Sequence, residues 1–172
     1  QYMLQCGMLI PMNENSETRI FDSIFIDIGE KQSIDNDLST YSSHLLNMKY
    51  FLKHSNEKTL VLIDEFGTGT EPALGGALAE AILEELNRKQ VYGVITTHYG
   101  NLKHFAAETK GILNGAMLFD TQKIKPIYTL SIGEPGSSFA IDIARSIGLP
   151  EMILGKATNI VGEDYINIEK HL

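Results

Sequence analysis

The sequence contains a single cysteine, Cys6, so no internal disulfide can form. Nothing in it resembles a secretory leader, and the two absences together point to a reducing cytoplasm as the compartment. The longest apolar stretches, such as 2–11 and 60–63, fall far short of the roughly 20 residues that cross a bilayer, which predicts a soluble protein without membrane contact. Runs of lysine or arginine are missing as well. The 14 basic residues are scattered among 22 acidic ones, for a formal net charge of −8, so a surface that grips nucleic-acid phosphates is not expected in this segment. One cysteine and five dispersed histidines offer no metal-ligand spacing, and His44, His54, His104 and His171 read as solvated or capping residues. No G-x-S-x-G elbow for a serine nucleophile occurs. Internal repeats and low-complexity tracts are absent too.

What is present is an ordinary globular composition over 172 residues, 43% apolar and 21% charged, enough for one buried core. Gln1 is not an initiator methionine, and Tyr2-Met3-Leu4 enters an apolar helical pattern without a cap, so the chain reads as a piece of a larger protein. Residues 1–10 look like the end of a helix stopped by Pro11. Residues 24–28 alternate and are rich in β-branched and aromatic types, predicting a strand that ends at Gly29. Leu38, Tyr41, Leu45, Met48 and Leu52 recur at steps of three and four, predicting a helix from Ser39 or Thr40 to about Lys53. Residues 59–63 form an uninterrupted apolar run with Asp64 and Glu65 at its end, the pattern of a central parallel strand buried on both faces.

Glu71-Pro72 opens the next helix, with proline in the first turn where its missing N–H does no harm, and Leu74, Leu78, Ala81, Ile82 and Leu86 as its apolar stripe. Residues 91–96 read as another buried strand, ending in Thr97 and His98, and a helix follows over roughly 101–108. Strands at 116–120 and 127–131 with a polar turn at 121–125 predict a hairpin. A glycine-rich loop at 133–136, a helix over 138–147 and a last helix from Pro150 complete the chain. This order predicts a mostly parallel α/β sheet with an antiparallel edge. Ligands of such sheets bind outside the carboxyl ends of the strands, where 29–40, 64–71 and 96–98 all fall.

An apolar strand ending in Asp-Glu suits metal-assisted phosphoryl chemistry, because the first carboxylate can hold Mg²⁺ while the second orients or deprotonates a water. Taken alone, the pair fits a solvated strand end equally well. His98, at the end of the following strand, could reach a terminal phosphate and sense its loss, although a lone histidine is more often just a satisfied polar residue. The helix start at 39–44 offers free N–H groups to an anion, and Ser39 or Thr40 could equally be a plain cap.

Together these segments carry a resemblance. Leu60-Val61-Leu62-Ile63-Asp64-Glu65-Phe66-Gly67-Thr68-Gly69-Thr70-Glu71-Pro72 resembles the second nucleotide motif and D-loop of MutS proteins, and Ile95-Thr96-Thr97-His98-Tyr99 resembles their switch histidine motif. Asp27-Ile28-Gly29-Glu30-Lys31-Gln32-Ser33, followed by Leu38-Ser39-Thr40-Tyr41-Ser42-Ser43-His44, is similar to the family's loop and its ABC-type signature helix. The latter lacks the L-S-G-G-Q of transporters and chromosome-maintenance subunits. Gln32-Ser33, Ser42-Ser43-His44, Thr70-Glu71-Pro72 and residues 133–150 resemble the second, endonuclease-type branch of MutS proteins, associated with recombination control and ribosome rescue more than with mismatch repair.

The resemblance covers nearly the whole chain and implies an ABC-type P-loop NTPase, a three-layer sandwich incomplete at its N-terminus. In that reading residues 1–172 are a partial ATPase domain, 1–10 the remnant of the helix after the P-loop, and 151–172 a C-terminal helical tail. The implied cofactors are ATP and Mg²⁺. Asp64 would hold the metal through water, Glu65 would be the catalytic base and His98 the phosphate sensor. Gln32, Ser39, Thr40, Gly67, Thr68, Gly69 and Thr70 would meet the nucleotide, Ser39 in trans across a homodimer. DNA or the ribosome would be met by domains outside the segment. No G-x-x-x-x-G-K-[ST] occurs, so the nest of N–H groups and the lysine that hold the phosphates are missing, and the segment by itself is expected to be inactive. In the family that loop lies shortly before the position of Gln1. The alternative is a non-catalytic dimerisation or interaction module of the same fold, against which the intact Asp64, Glu65 and His98 weigh.

Overall fold

The computed structural model describes residues 1–29, 40–120, 123, 125–134, 136 and 139–161. They belong to two compact units, Gln1–Leu102 and Lys103–Leu172. In the first unit, β1 (Ser23–Asp27), β2 (Thr59–Ile63) and β3 (Tyr92–Ile95) form a parallel sheet in the order β1-β2-β3. The connections carry α2 (Thr40–His54) and α3 (Pro72–Arg88), as the sequence order predicts. The register sets Phe25 beside Val61 and Val61 beside Gly93, with Asp27, Ile63 and Ile95 in line at the carboxyl ends. Alternation therefore turns Phe25, Val61 and Ile63 to one face, where they meet Met48 and Phe51 of α2 and Ala79, Ile82 and Leu86 of α3 in a single core. Phe25 stacks on Phe51 with ring centres 5.3 Å apart.

The opposite face is only partly covered, by Arg19 over the Tyr92 ring at 4.5 Å and Phe21 against it at 5.6 Å. Ile26, Tyr92 and Val94 are 43%, 48% and 63% exposed, which corrects the expectation that 91–96 is buried. Tyr92 and Val94 alternate onto the face turned away from the core of Val61 and Ile63. β2 has the predicted bounds, with Thr59, Val61 and Ile63 buried and Leu60 and Leu62 half-buried.

A second correction concerns α3. Leu74, Leu78 and Ala81 of the predicted stripe are exposed, and the buried face runs through Gly75, Gly76, Ala79, Ile82 and Leu86. Two glycines let the helix come close to its neighbours. A Cβ at Gly75 would lie 2.6 Å from the Gly67 carbonyl oxygen, and one at Gly76 would lie 2.8 Å from Asn101 Oδ1. The N-terminal helix is also shorter than expected. α1 (Tyr2–Gln5) ends at Gly7, whose φ of +74° permits N–H bonds from Gly7 to Leu4 O (3.0 Å) and from Met8 to Met3 O (2.9 Å), so a glycine cap stops the helix before Pro11 is reached.

Of the later elements, α4 (Gly100–Glu108) follows β3, and β4 (Gly115–Asp120) pairs antiparallel with β5 (Lys125–Ile132). The predicted hairpin is thus present, and among the described residues it is a two-stranded sheet of its own. α5 (Ala140–Ser146) and α6 (Glu151–Val161) complete the second unit, in which Phe119 stacks on Phe139 at 5.0 Å. Most of the predicted 121–125 turn, Ser138 at the predicted helix start and the 162–172 part of the tail lie outside the described residues.

Candidate functional site

The carboxyl ends of β1, β2 and the segment after β3 are tied together by main chain. Asp64 N–H donates to Asp27 O, Thr96 N–H to Ile63 O and Phe66 N–H to Thr96 O, each at 2.9 Å. Between Ile63 and Phe66, residues 64 and 65 therefore bulge out opposite Thr96. Glu65 sits at φ +50°, a left-handed backbone that costs a non-glycine residue about 1–2 kcal/mol. Its N–H donates to Thr96 Oγ1 at 2.9 Å, and the Thr96 hydroxyl donates to Asp64 Oδ1. Phe66 is buried in the core at the far side of the bulge, so the turn is anchored by an apolar side chain while Asp64 is half-buried and Glu65 exposed.

The D-loop follows. Gly67 and Gly69 have φ of +90° and +93°, which glycine adopts without a steric cost. Tyr99 packs over the first of them: its hydroxyl donates to Gly67 O at 3.0 Å, and a Cβ at Gly67 would lie 2.6 Å from its ring. Thr97 Oγ1 donates to Phe66 O at 3.2 Å and accepts the Tyr99 N–H at 3.1 Å. With Thr97 and Tyr99 turned to the loop, His98 between them is exposed. Where the loop meets α3, Glu71 accepts from Ala73 N–H (3.0 Å) and Leu74 N–H (2.9 Å), and these two bonds hold its carboxyl below the usual carboxylate range.

A small pocket opens here, lined by Asp64, Glu65, Gly67 and Thr68 together with Asp27, Tyr41 and His44, and on its inner side by apolar residues such as Met48 and Ile82. Four of the expected site residues thus come together. His98 does not line this pocket, nor does Thr70, whose methyl group lies by Gly75. Gly69 lies by Tyr41, where an added Cβ would come 3.3 Å from Tyr41 Cβ. Thr40 begins α2, and Gln32 and Ser39 lie outside the described residues.

Two residues at the pocket escaped the sequence reading. Asp27 is only 4% exposed, and its carboxylate accepts from His44 Nδ1 and Asn47 Nδ2, each at 2.7 Å, so His44 is not a solvated or capping histidine. The available signals were an acid at the end of an apolar strand and two polar residues three apart on one helix face.

The donor set at the bulge is oxygen only. Among the described residues no group of three or more His, Cys, Asp or Glu side chains could cage a metal ion. Oxygen donors of this kind are those Mg²⁺ takes beside waters and a substrate phosphate.

The sequence matches MutS domain V over residues 1–163. The chain belongs to the MutS domain V family. Its fold is therefore that of a P-loop ATPase-type domain, in agreement with the parallel β1-β2-β3 sheet. Over 168 residues it is 46% identical to an endonuclease MutS2 of Carboxydothermus hydrogenoformans, covering 98% of this chain and 22% of that protein. An endonuclease MutS2 of Bacillus velezensis is 43% identical over 167 residues, 97% of this chain and 21% of its own length. One of Pediococcus pentosaceus is 45% identical over 164 residues, with 95% and 21% covered. The MutS domain V chain thus spans about a fifth of the length of these relatives. Among its described residues no helix is long and apolar enough to cross a membrane.

Proposed function

We propose that this chain is the ATP-hydrolysing part of a dimeric MutS-family protein that processes DNA in repair or recombination control, its nucleotide cycle opening and closing a clamp. The observation that carries the reading is the bulge after β2, where one carboxylate is anchored and the next projects beside it at the mouth of one pocket. Asp64 holds Mg²⁺ through water, Glu65 takes the proton of the attacking water, and His98 senses the terminal phosphate. A bound Mg²⁺ would neutralise charge on the phosphates. Gln32, Ser39 and Thr40 are assigned to nucleotide contacts, Ser39 in trans across the dimer. DNA contacts belong to other parts of the protein, given the net charge of −8 here. The same reading extends to the ribosome as a partner, through segments beyond this one.

Support comes from the MutS domain V match and from relatives named endonuclease MutS2. The test is Glu65→Gln in the full-length protein. ATP binding is expected to persist while turnover falls by about 10²–10⁴-fold. Unchanged turnover would remove Glu65 from the reaction and favour a non-catalytic dimerisation module.

A further inference from the structure

The bulge that presents Asp64 and Glu65 is organised by one side chain on the neighbouring segment. Thr96 uses all of its polar atoms on residues 63–66: its N–H on Ile63 O, its C=O on Phe66 N–H, and its hydroxyl both to Asp64 Oδ1 and from Glu65 N–H. Only a hydroxyl can donate and accept through one atom in this way, and β-branching restricts its rotation. The Glu65 N–H it accepts belongs to the residue at φ +50°, so the same atom that orients the Asp64 carboxylate also holds the backbone that aims Glu65.

We infer that Thr96 is a positioning residue for the Asp64–Glu65 pair, holding the Asp64 carboxylate and the Glu65 backbone through a single hydroxyl without touching the substrate. The inference rests on the nucleotide-site reading of those two acids. Thr96 is solvent-exposed, which separates geometry from stability: water can replace the lost hydrogen bonds but cannot impose their direction.

The experiment compares Thr96→Ser, Thr96→Val and Thr96→Ala in the full-length protein, with Glu65→Gln alongside. Thr96→Ser keeps the hydroxyl and is expected to hold kcat within about twofold. Thr96→Val keeps the shape without it, and like Thr96→Ala it is expected to lower kcat by about 10- to 100-fold with KM for ATP little changed, since small misplacements of reacting groups carry costs of this order. Hydrogen exchange of the peptide covering 64–68 should accelerate in the valine and alanine variants, stay at the parental rate in the serine variant, and leave exchange in β2 unaltered. Parental kcat and exchange in Thr96→Val, or equal losses in the serine and valine variants, would overturn the inference. If Glu65→Gln turns over normally, the nucleotide-site reading fails instead. The exchange pattern then decides separately whether Thr96 holds the turn.

Discussion

Asp27 and His44, 17 positions apart in sequence, meet at 2.7 Å between carboxylate and Nδ1, with the Asp27 side chain 5% exposed and that of His44 24%. Asn47 completes the arrangement on the other carboxylate oxygen. The contact fastens the start of α2 to the end of β1, the strand whose Asp27 carbonyl accepts the Asp64 N–H. Removing one member leaves the others with unmet polar groups in a poorly hydrated place. Asp27→Ala is expected to lower unfolding free energy by about 3 kcal/mol in urea titrations. A cycle with His44→Ala should show coupling of about 1 kcal/mol or more. Additive losses would mean that the two side chains stabilise the fold independently.

Helix propensity and packing pull in opposite directions at Gly75. Alanine for glycine inside an exposed helix gains about 1 kcal/mol. In α3 the new methyl would meet Gly67 O at 2.6 Å, with the Thr70 methyl at 2.9 Å and the Tyr99 hydroxyl at 3.1 Å, so overpacking by about 1–3 kcal/mol wins. Gly75→Ala should therefore lower the unfolding midpoint. Gly155 of α6 has nothing within 4 Å of an added Cβ, and Gly155→Ala should raise it. Stabilisation by both changes would show that the D-loop does not pack on α3 as described.

Glu71 gives a pH-dependent prediction. Its carboxyl is held low by the Ala73 and Leu74 N–H groups, so the folded form binds its proton less readily than the unfolded chain does. The resulting stabilisation is present above the ordinary carboxylate pKa and is lost as pH falls through the lowered one. Thermal unfolding of the parent chain and of Glu71→Gln should differ at about pH 7 and converge once pH falls below the lowered pKa of Glu71. A difference that stays constant over this range would place the effect of Glu71 outside its charge.

Much of this arrangement can be read from the chain alone, and the exceptions have physical reasons. The bounds of β2, the start of α3 at Pro72 and the Asp64–Glu65 pair follow from an apolar run, a first-turn proline and two adjacent acids, all local patterns. Ile82 and Leu86 of the buried α3 face follow from periodicity too, whereas its first turns did not, because Gly75 and Gly76 carry no side chain to register. Exposure of Tyr92 and Val94 depends on what neighbours β3, which no local pattern encodes. The links from Asp27 to His44 and from Thr96 to Asp64 span 17 and 32 positions; α2 packing against β1 makes the first, and the parallel register of β2 and β3 the second.

The less covered face of the parallel sheet has a practical corollary. Ile26 and Val94, both exposed, flank the half-buried Leu62 across three strands, so a well-folded sample presents an apolar patch to its surroundings. Such a sample will take up fluorescent dyes like ANS in its native state and will salt out readily. Brightness in a dye assay is therefore no sign of a molten globule here unless near-ultraviolet dichroism has been lost as well.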